Sequence, residues 1–477
     1  MHWIDISIFI AYMVAMLGVG WYFYRTNTTK DDYYVGGRNM GSWHIGLSVV
    51  ATDVGGGFSI GLGGLGFTMG LSGSWMLFTG LIGAWLAAVF LIPKVFKLGR
   101  DINLFTFPQV FKELFDHRVA FVAAIISAVG YLGFTASQIL AGAKLASATF
   151  NELSLTWALV VMGVIAVVYT VLGGLKAVIY TDTVQWIILL AGLIFIGLPL
   201  SYLSIDGWAG IEQSVRPELL SLSNIDASTL INWAFTIIPI WFIGMTLYQR
   251  IYACNSEKQA RKAWFIAGLF EWPVMAFMGV LLGLFARIAA DQGMFAASGF
   301  DAMAELDPEL GLPLLLKTIL PIGLTGLMMS AYFSAILSTA DSCLMACSGN
   351  VVSDLMQRIF TFSDNTELKV SQVVTLAIGN LAIIIGLYLQ NVLDLMLYSY
   401  AFMVSGLFVP VLFGLFSKRI SANAALVSML VGGCTTLVLS AMFSSLPGNL
   451  DPIIFGLLAS LSSYIIYYQV EYYVTSN

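Results

Sequence analysis

Apolar residues run along this chain in blocks of about twenty, separated by short polar connections, and that is the length at which an α-helix crosses the hydrocarbon core of a bilayer. The pattern predicts thirteen transmembrane helices, near residues 4 to 24, 44 to 68, 74 to 97, 119 to 149, 155 to 173, 177 to 203, 229 to 249, 262 to 289, 322 to 354, 370 to 389, 392 to 416, 422 to 443 and 452 to 472. Lysine and arginine gather on the cytoplasmic side of such proteins. Seventeen of the 21 basic residues fall in alternate connections: Arg25, Lys30 and Arg38; Lys94, Lys97, Arg100, Lys112 and Arg118; Lys176; Arg250, Lys258, Arg261 and Lys262; Arg358 and Lys369; Lys418 and Arg419. One span more or fewer would destroy the alternation. It places the N-terminus outside and the C-terminus in the cytoplasm, as a multi-pass protein of the plasma (inner) membrane.

Composition agrees and narrows the function. Of 477 residues 59% are apolar and 10% charged, against about 25% charged in soluble domains. The first apolar block has no basic lead and no small-residue cleavage site, so it reads as a retained span. The longest hydrophilic stretches, 204–228 and 289–311, leave no room for a nucleotide domain, and no GxxxxGK[ST] occurs. Any transport is therefore driven by a gradient and not by ATP. The four cysteines and three histidines show no metal or nucleophile spacing, so enzyme chemistry is not expected. The basic residues are dispersed between spans, so neither is nucleic-acid binding.

Two spans are interrupted, and in lipid that is tolerated only where freed backbone groups are satisfied by protein or ligand. The second carries Ala51-Thr-Asp-Val-Gly-Gly-Gly-Phe-Ser59, with Asp53 at mid-membrane depth; the seventh carries Pro239-Ile-Trp-Phe-Ile-Gly244. They are five spans apart. This predicts two five-helix repeats of opposite topology, 44–203 and 229–416, each opening with a broken helix, with 1–43 and 417–477 peripheral, all within one transport domain, 1–477. Glycine also packs helices closely, but a carboxylate at that depth usually has a functional partner.

The ninth span is unusually rich in oxygen: Ser334-Ala-Ile-Leu-Ser-Thr-Ala-Asp-Ser342. At helical spacing Ala335, Ser338, Thr339 and Ser342 share a face, with Asp341 on its flank. Hydroxyls, carbonyls and a carboxylate suit a hard cation such as Na⁺. Asp182, in Tyr180-Thr-Asp-Thr-Val-Gln185, is a third intramembrane aspartate. Lys144 is expected to snorkel outward, and Glu271 and Asp394 have no assigned role.

The markers Asp31-Asp-Tyr-Tyr-Val-Gly-Gly-Arg38, Ala51-Thr-Asp-Val54, Tyr169-Thr-Val-Leu-Gly-Gly174 with Tyr180 to Gln185, Gln249-Arg250 with Ser256-Glu-Lys-Gln-Ala-Arg261, and Ser338-Thr-Ala-Asp-Ser342 occur in order between the expected spans. On them the chain resembles the sodium/solute symporter family of bacterial proline and galactose symporters and mammalian glucose and choline carriers. The resemblance implies an all-α, leucine-transporter-like inverted repeat and Na⁺ as coupling ion. It implies a main sodium site of carbonyls at Ala51, Val54 and Ala335 with hydroxyls of Ser338 and Thr339. Some relatives have a second site, which here would comprise Asp182, Ser338, Asp341 and Ser342; those relatives often have serine where this chain has Asp341.

The substrate is expected at the midplane between the broken helices. Its walls would be Asp53, Gly55, Gly56, Gly57 and Phe58; Tyr131, Thr135 and Gln138; Trp241, Phe242 and Met245; and Tyr398 with Phe402. Asp53 replaces the aromatic of choline-type relatives and agrees better with the proline-type branch, from which Gly55-Gly56-Gly57 departs. The expected function is Na⁺-coupled uptake of a small organic solute, proline-like favoured, by a monomer using alternating access in the lipid bilayer. The alternatives are coupling to H⁺ through Asp341 and Asp182, uptake of a sugar, carboxylate or quaternary amine, and a membrane sensory module.

Overall fold

In a medium without water, each backbone N–H and C=O has to be satisfied within the chain, which forces long apolar segments into helices. The computed structural model describes residues 2–26, 35–150, 153–300, 306–360, 364–443 and 445–476, and these residues are almost wholly helical. Among them, nine helices are long and apolar enough to cross a membrane, ten if the bent pair Ala227–Ile243 and Met245–Ala253 is one span. Two shorter apolar helices, Trp3–Val19 and Leu155–Val171, accompany them. The run Gly55–Asp101 has 47 residues, about 70 Å of helix and too long for one crossing. The count of thirteen requires the two short helices as crossings and the division of this run.

Both interruptions expected from the sequence are present. The helix Ser42–Met69 breaks at Gly55, whose φ of 32° and ψ of −155° are non-helical. The second break falls at Gly244 (φ −65°, ψ 114°), where the two half-helices bend by 43°. Pro239 lies one turn earlier, inside the first half-helix. A third interruption was not read from the sequence. Within Glu257–Asp291, the turn Phe270–Met275 carries non-helical dihedrals at Trp272 (φ −136°, ψ 124°) beside Pro273.

The long helix Leu324–Gly349 is the axis of the molecule. Its most apolar window is 94% buried, against 33% for Pro452–Val474, so its hydroxyls face protein and not lipid. It packs against His117–Thr149, Leu155–Gly192, Trp3–Thr26 and the first broken helix. Of the Asp31 to Arg38 motif, residues 31–34 lie outside the described residues. Gly36, Gly37 and Arg38 all have positive φ, and the Arg38 side chain donates to the Leu104 carbonyl at 2.9 Å. Met40 N–H donates to Ala253 O at 2.9 Å and Asn255 N–H to Met40 O at 3.1 Å, tying the start of one broken helix to the end of the other.

Candidate functional site

At the first break, a Cβ on Gly55 would lie 2.8 Å from both Gln138 Oε1 and Thr339 Oγ1. The broken backbone is thus wedged between the His117–Thr149 helix and the long helix. Gly56 N–H donates to Gln138 Oε1 at 2.8 Å, so a side chain from a third element replaces a helical acceptor lost at the break. Thr339 Oγ1 lies 3.1 Å from Ala51 O and 3.3 Å from Ala335 O, and Ser338 Oγ donates to Ala335 O at 3.0 Å. Ala51, Ala335, Ser338 and Thr339 therefore bring two carbonyls and two hydroxyls together, a hard-oxygen set in which each hydroxyl can turn its lone pairs to a cation. Val54 immediately precedes the break; its side chain and that of Phe58 lie outside the described residues.

The second cluster has a different centre. Arg250, counted among the connection residues from sequence, is fully buried. Its guanidinium donates through Nε to Ser48 Oγ at 3.0 Å, through Nη1 to Thr246 O at 3.2 Å, and through Nη2 to Thr52 Oγ1 at 2.5 Å and Ser342 Oγ at 3.2 Å. Arg250 Nη2 is 3.5 Å from Asp182 Oδ2, which also accepts from Ser48 Oγ at 2.5 Å. Asp182 and Ser342 thus surround a guanidinium. Asp341 turns elsewhere: its Oδ1 accepts from Thr170 Oγ1 at 2.6 Å.

Along the expected substrate walls, Tyr131 OH accepts from Thr246 N–H at 3.0 Å and lies 3.1 Å from Thr246 Oγ1, capping the half-helix that begins at Met245. Thr135 spends its hydroxyl on the Tyr131 carbonyl of its own helix, at 2.7 Å. A Cβ on Gly57 would be 2.7 Å from Met396 Sδ, and one on Gly83 2.4 Å from Trp241 Cδ1. Trp241 is fully buried, with no hydrogen-bond partner for its indole N–H among the described residues; Phe242 stacks edge-on against Phe408, and Met245 accepts the Phe107 N–H on sulfur. Tyr398 is 57% exposed and Phe402 lies near Gly433, so neither faces the breaks. Tyr400, two residues on and buried, packs edge-on against Phe134 and lies near Asp53. Helical register, and not residue type, decides which aromatic of that helix turns inward.

Two charged residues also depart from the sequence reading. Lys144 does not snorkel: it is buried, with Nζ 2.5 Å from Asp307 Oδ2 and 2.6 Å from Glu309 Oε2. Pairing two carboxylates is cheaper for an ammonium at that depth than isolation. Glu271 is fully buried beside the third break, with Oε2 1.9 Å from where a Cβ on Gly80 would be. Pro273, two residues away in an apolar span, was the available signal.

The comparisons with known proteins match this architecture. The model of the "Sodium:solute symporter family" matches residues 33–432. The chain is 28% identical to the osmoregulated proline transporter OpuE of Bacillus subtilis, covering 94% of this chain and 93% of that protein. It is 26% identical to the sodium/proline symporter of Escherichia coli, covering 95% and 93%. A solved substrate-bound, outward-open Na⁺-coupled sialic acid symporter superposes with a TM-score of 0.79 at 23% identity, covering 98% of this chain and 97% of that one.

Proposed function

The chain belongs to the sodium:solute symporter family and is a Na⁺-coupled solute transporter, not an enzyme; from that premise we propose that its solute is a small zwitterionic amino acid of the proline type. The observation that carries this reading is the Asp53 carboxyl two residues before the first break: buried, with no donor to its Oδ2 among the described residues, it suits an ammonium. The named activities of the two bacterial relatives support the same class. Gly55, Gly56 and Gly57 let the broken helix lie close against its neighbours: a Cβ on Gly56 would be 2.6 Å from Ala141 Cβ.

Sodium is bound by Ala51, Val54, Ala335, Ser338 and Thr339. One ion there pins the long helix to the first broken helix and thereby preorganises the solute wall on the same broken helix. Coupling arises because both ligands favour the same conformations. The second cation position of some relatives is filled here by the Arg250 guanidinium held between Asp182 and Ser342, and we take the stoichiometry as one Na⁺ per solute. Asp341, bonded to Thr170, lies outside that exchange. The repeats 44–203 and 229–416 carry these elements, the protein acts as a monomer in the inner membrane, and the basic connections face the cytoplasm.

Uptake of labelled proline into proteoliposomes, with and without an inward Na⁺ gradient, tests the reading. Gradient-dependent accumulation, competed by proline analogues and not by glucose or sialic acid, is expected. Equal uptake without Na⁺ would remove the coupling assignment, and competition by sugars alone would remove the amino-acid assignment.

A further inference from the structure

The helix Val392–Phe416 and the last helix, Pro452–Ser476, leave at one end a cavity of about 330 Å³, lined by Ser417, Lys418, Arg419, Tyr464, Tyr468 and Gln469 among others. A groove of about 250 Å³ adjoins it, with Phe413 as a wall of both. Every side chain lining the groove is apolar, among them Phe235, Phe408, Leu412, Leu457, Leu458 and Leu461. Along the last helix the groove touches positions 454, 457, 458 and 461, and the cavity 464, 465 and 468. That is one face at helical spacing, so cavity and groove form one furrow. From Ile454 to Tyr468 it runs about 21 Å, at about 1.5 Å per residue.

The two ends of the furrow differ in chemistry. At the cavity end Lys418 and Arg419 are exposed, and neither pairs with a carboxylate among the described residues. The acid of that end, Glu471, accepts from Ser421 Oγ and from Asn423 Nδ2, the latter at 2.9 Å. Lys94, which reaches the same helix end, donates to the Leu415 carbonyl at 2.8 Å. Arg419 lies over the Tyr472 ring, 5.8 Å from its centroid. Phe413, Tyr464 and Tyr468 stack in series, with centroids 4.1 Å and 6.5 Å apart. Tyr464 is buried, and its hydroxyl proton has no acceptor among the described residues. Tyr467, Tyr468, Tyr472 and Tyr473 crowd the last turns of this helix, as tyrosines do at a membrane–water interface. Lys418 and Arg419 therefore lie at headgroup depth. The furrow runs from them into the hydrocarbon, where Leu458 and Phe235 are exposed.

We propose that this furrow binds one anionic phospholipid of the surrounding bilayer, with its phosphate on Lys418 and Arg419 and one acyl chain along the groove. A guanidinium and an ammonium without carboxylate partners suit a phosphate, and basic pockets between membrane helices attract anionic headgroups. The furrow is longer than the roughly 15 Å of hydrocarbon in one leaflet, half of a core about 30 Å thick, so it beds a chain from headgroup to midplane. A free phosphate would leave the groove unfilled. A second copy of the chain on the same face would bring its own Lys418 and Arg419 against these, since a two-fold contact pairs like with like. Phe235 belongs to Ala227–Ile243, so the bound chain lies against the half-helix that leads to the Gly244 break. No residue of the furrow belongs to the sodium or solute sets, and the inference stands whatever the solute is.

Native mass spectrometry of the full-length protein, stripped of lipid in detergent and titrated with phosphatidylglycerol or phosphatidylcholine of the same acyl chains, tests it. The wild type is expected to hold its first phosphatidylglycerol about tenfold more tightly than its first phosphatidylcholine. Lys418→Gln combined with Arg419→Gln is expected to bring the two lipids to equal retention. Leu461→Trp, which fills the groove, is expected to weaken both. Glycerol 3-phosphate, which has the charge and no chains, is expected not to displace the lipid. Equal retention of both lipids by the wild type, a preference unchanged in the double variant, or displacement by glycerol 3-phosphate overturns the proposal. So does a wild-type dimer that Leu461→Trp dissociates, because a second copy then covers the face. All three substituted side chains are exposed, and if a variant fails to reach the membrane the wild-type comparison of the two lipids still decides.

Discussion

At the scale of single residues, the proposed sodium site and the Arg250 cluster differ in what they offer a cation. Thr339 Oγ1 sits between two carbonyls of different helices, an arrangement with room for lone pairs to turn toward an ion. Removing one such hydroxyl by Thr339→Ala or Ser338→Ala costs one charge-assisted contact, about 1.4 kcal/mol or about tenfold in Na⁺ affinity. The half-saturating Na⁺ concentration for uptake is expected to rise by that order, while the maximal rate at high Na⁺ changes less. Arg250 presents the reverse case, a cation already tethered by five contacts. Asp182→Asn strands a buried guanidinium, a loss of about 3–5 kcal/mol for a broken buried pair. The melting temperature is expected to drop sharply, while the Na⁺ Hill coefficient stays near that of the wild type. Adding Arg250→Met should recover part of the lost stability, and a double-mutant cycle measures the coupling. A Hill coefficient that changes in Asp182→Asn would instead indicate a second ion.

At the scale of elements, the breaks are where sequence and packing meet. Gly56 lies where a Cβ would be 2.6 Å from Ala141 Cβ and 2.9 Å from Ile336 Cγ2, so the broken helix touches two neighbours with no spare volume. Gly56→Ala is expected to cost about 1–3 kcal/mol by overpacking and to abolish transport while leaving the protein in the membrane, which surface expression and uptake measured together would show. The Gly-Gly-Gly and Pro239 to Gly244 signals were legible because glycine and proline act on their own backbone. The acid at 271 was not legible, because it is buried against Gly80 of another helix. The same limit explains Tyr398 and Tyr400. Two positions apart on one helix, they differ by rotation alone, and only the neighbours fix which one is buried. Arg250 lay at the end of an apolar block and looked like a connection residue, whereas hydroxyls and a carboxyl from three other helices draw it inward.

At the scale of the molecule, alternating access requires one end of the solute path to close while the other opens. On the side opposite most of the basic connections, Glu309 accepts backbone N–H bonds from Val392 and Leu393 at 3.1 Å each and pairs with Lys144 at 2.6 Å. Those contacts join the helix Pro308–Ile319 to the start of Val392–Phe416 and to His117–Thr149, above the first broken helix, where a Cβ on Gly64 would be 3.2 Å from Glu309 Cγ. Glu309 and Lys144 thus bond three helices together at this end. Lys144→Met removes the cation that Glu309 needs when buried, and an opened outer end lets that carboxylate reach water. The variant is therefore expected to favour the outward-open conformation, by up to the few kcal/mol that an unpaired buried charge costs. A cysteine introduced at Leu312, which is 2% exposed, reports the shift through its labelling rate by a membrane-impermeant thiol reagent. Faster labelling in Lys144→Met than in the Lys144 background is expected, and unchanged labelling would show that the pair is not part of the outer closure.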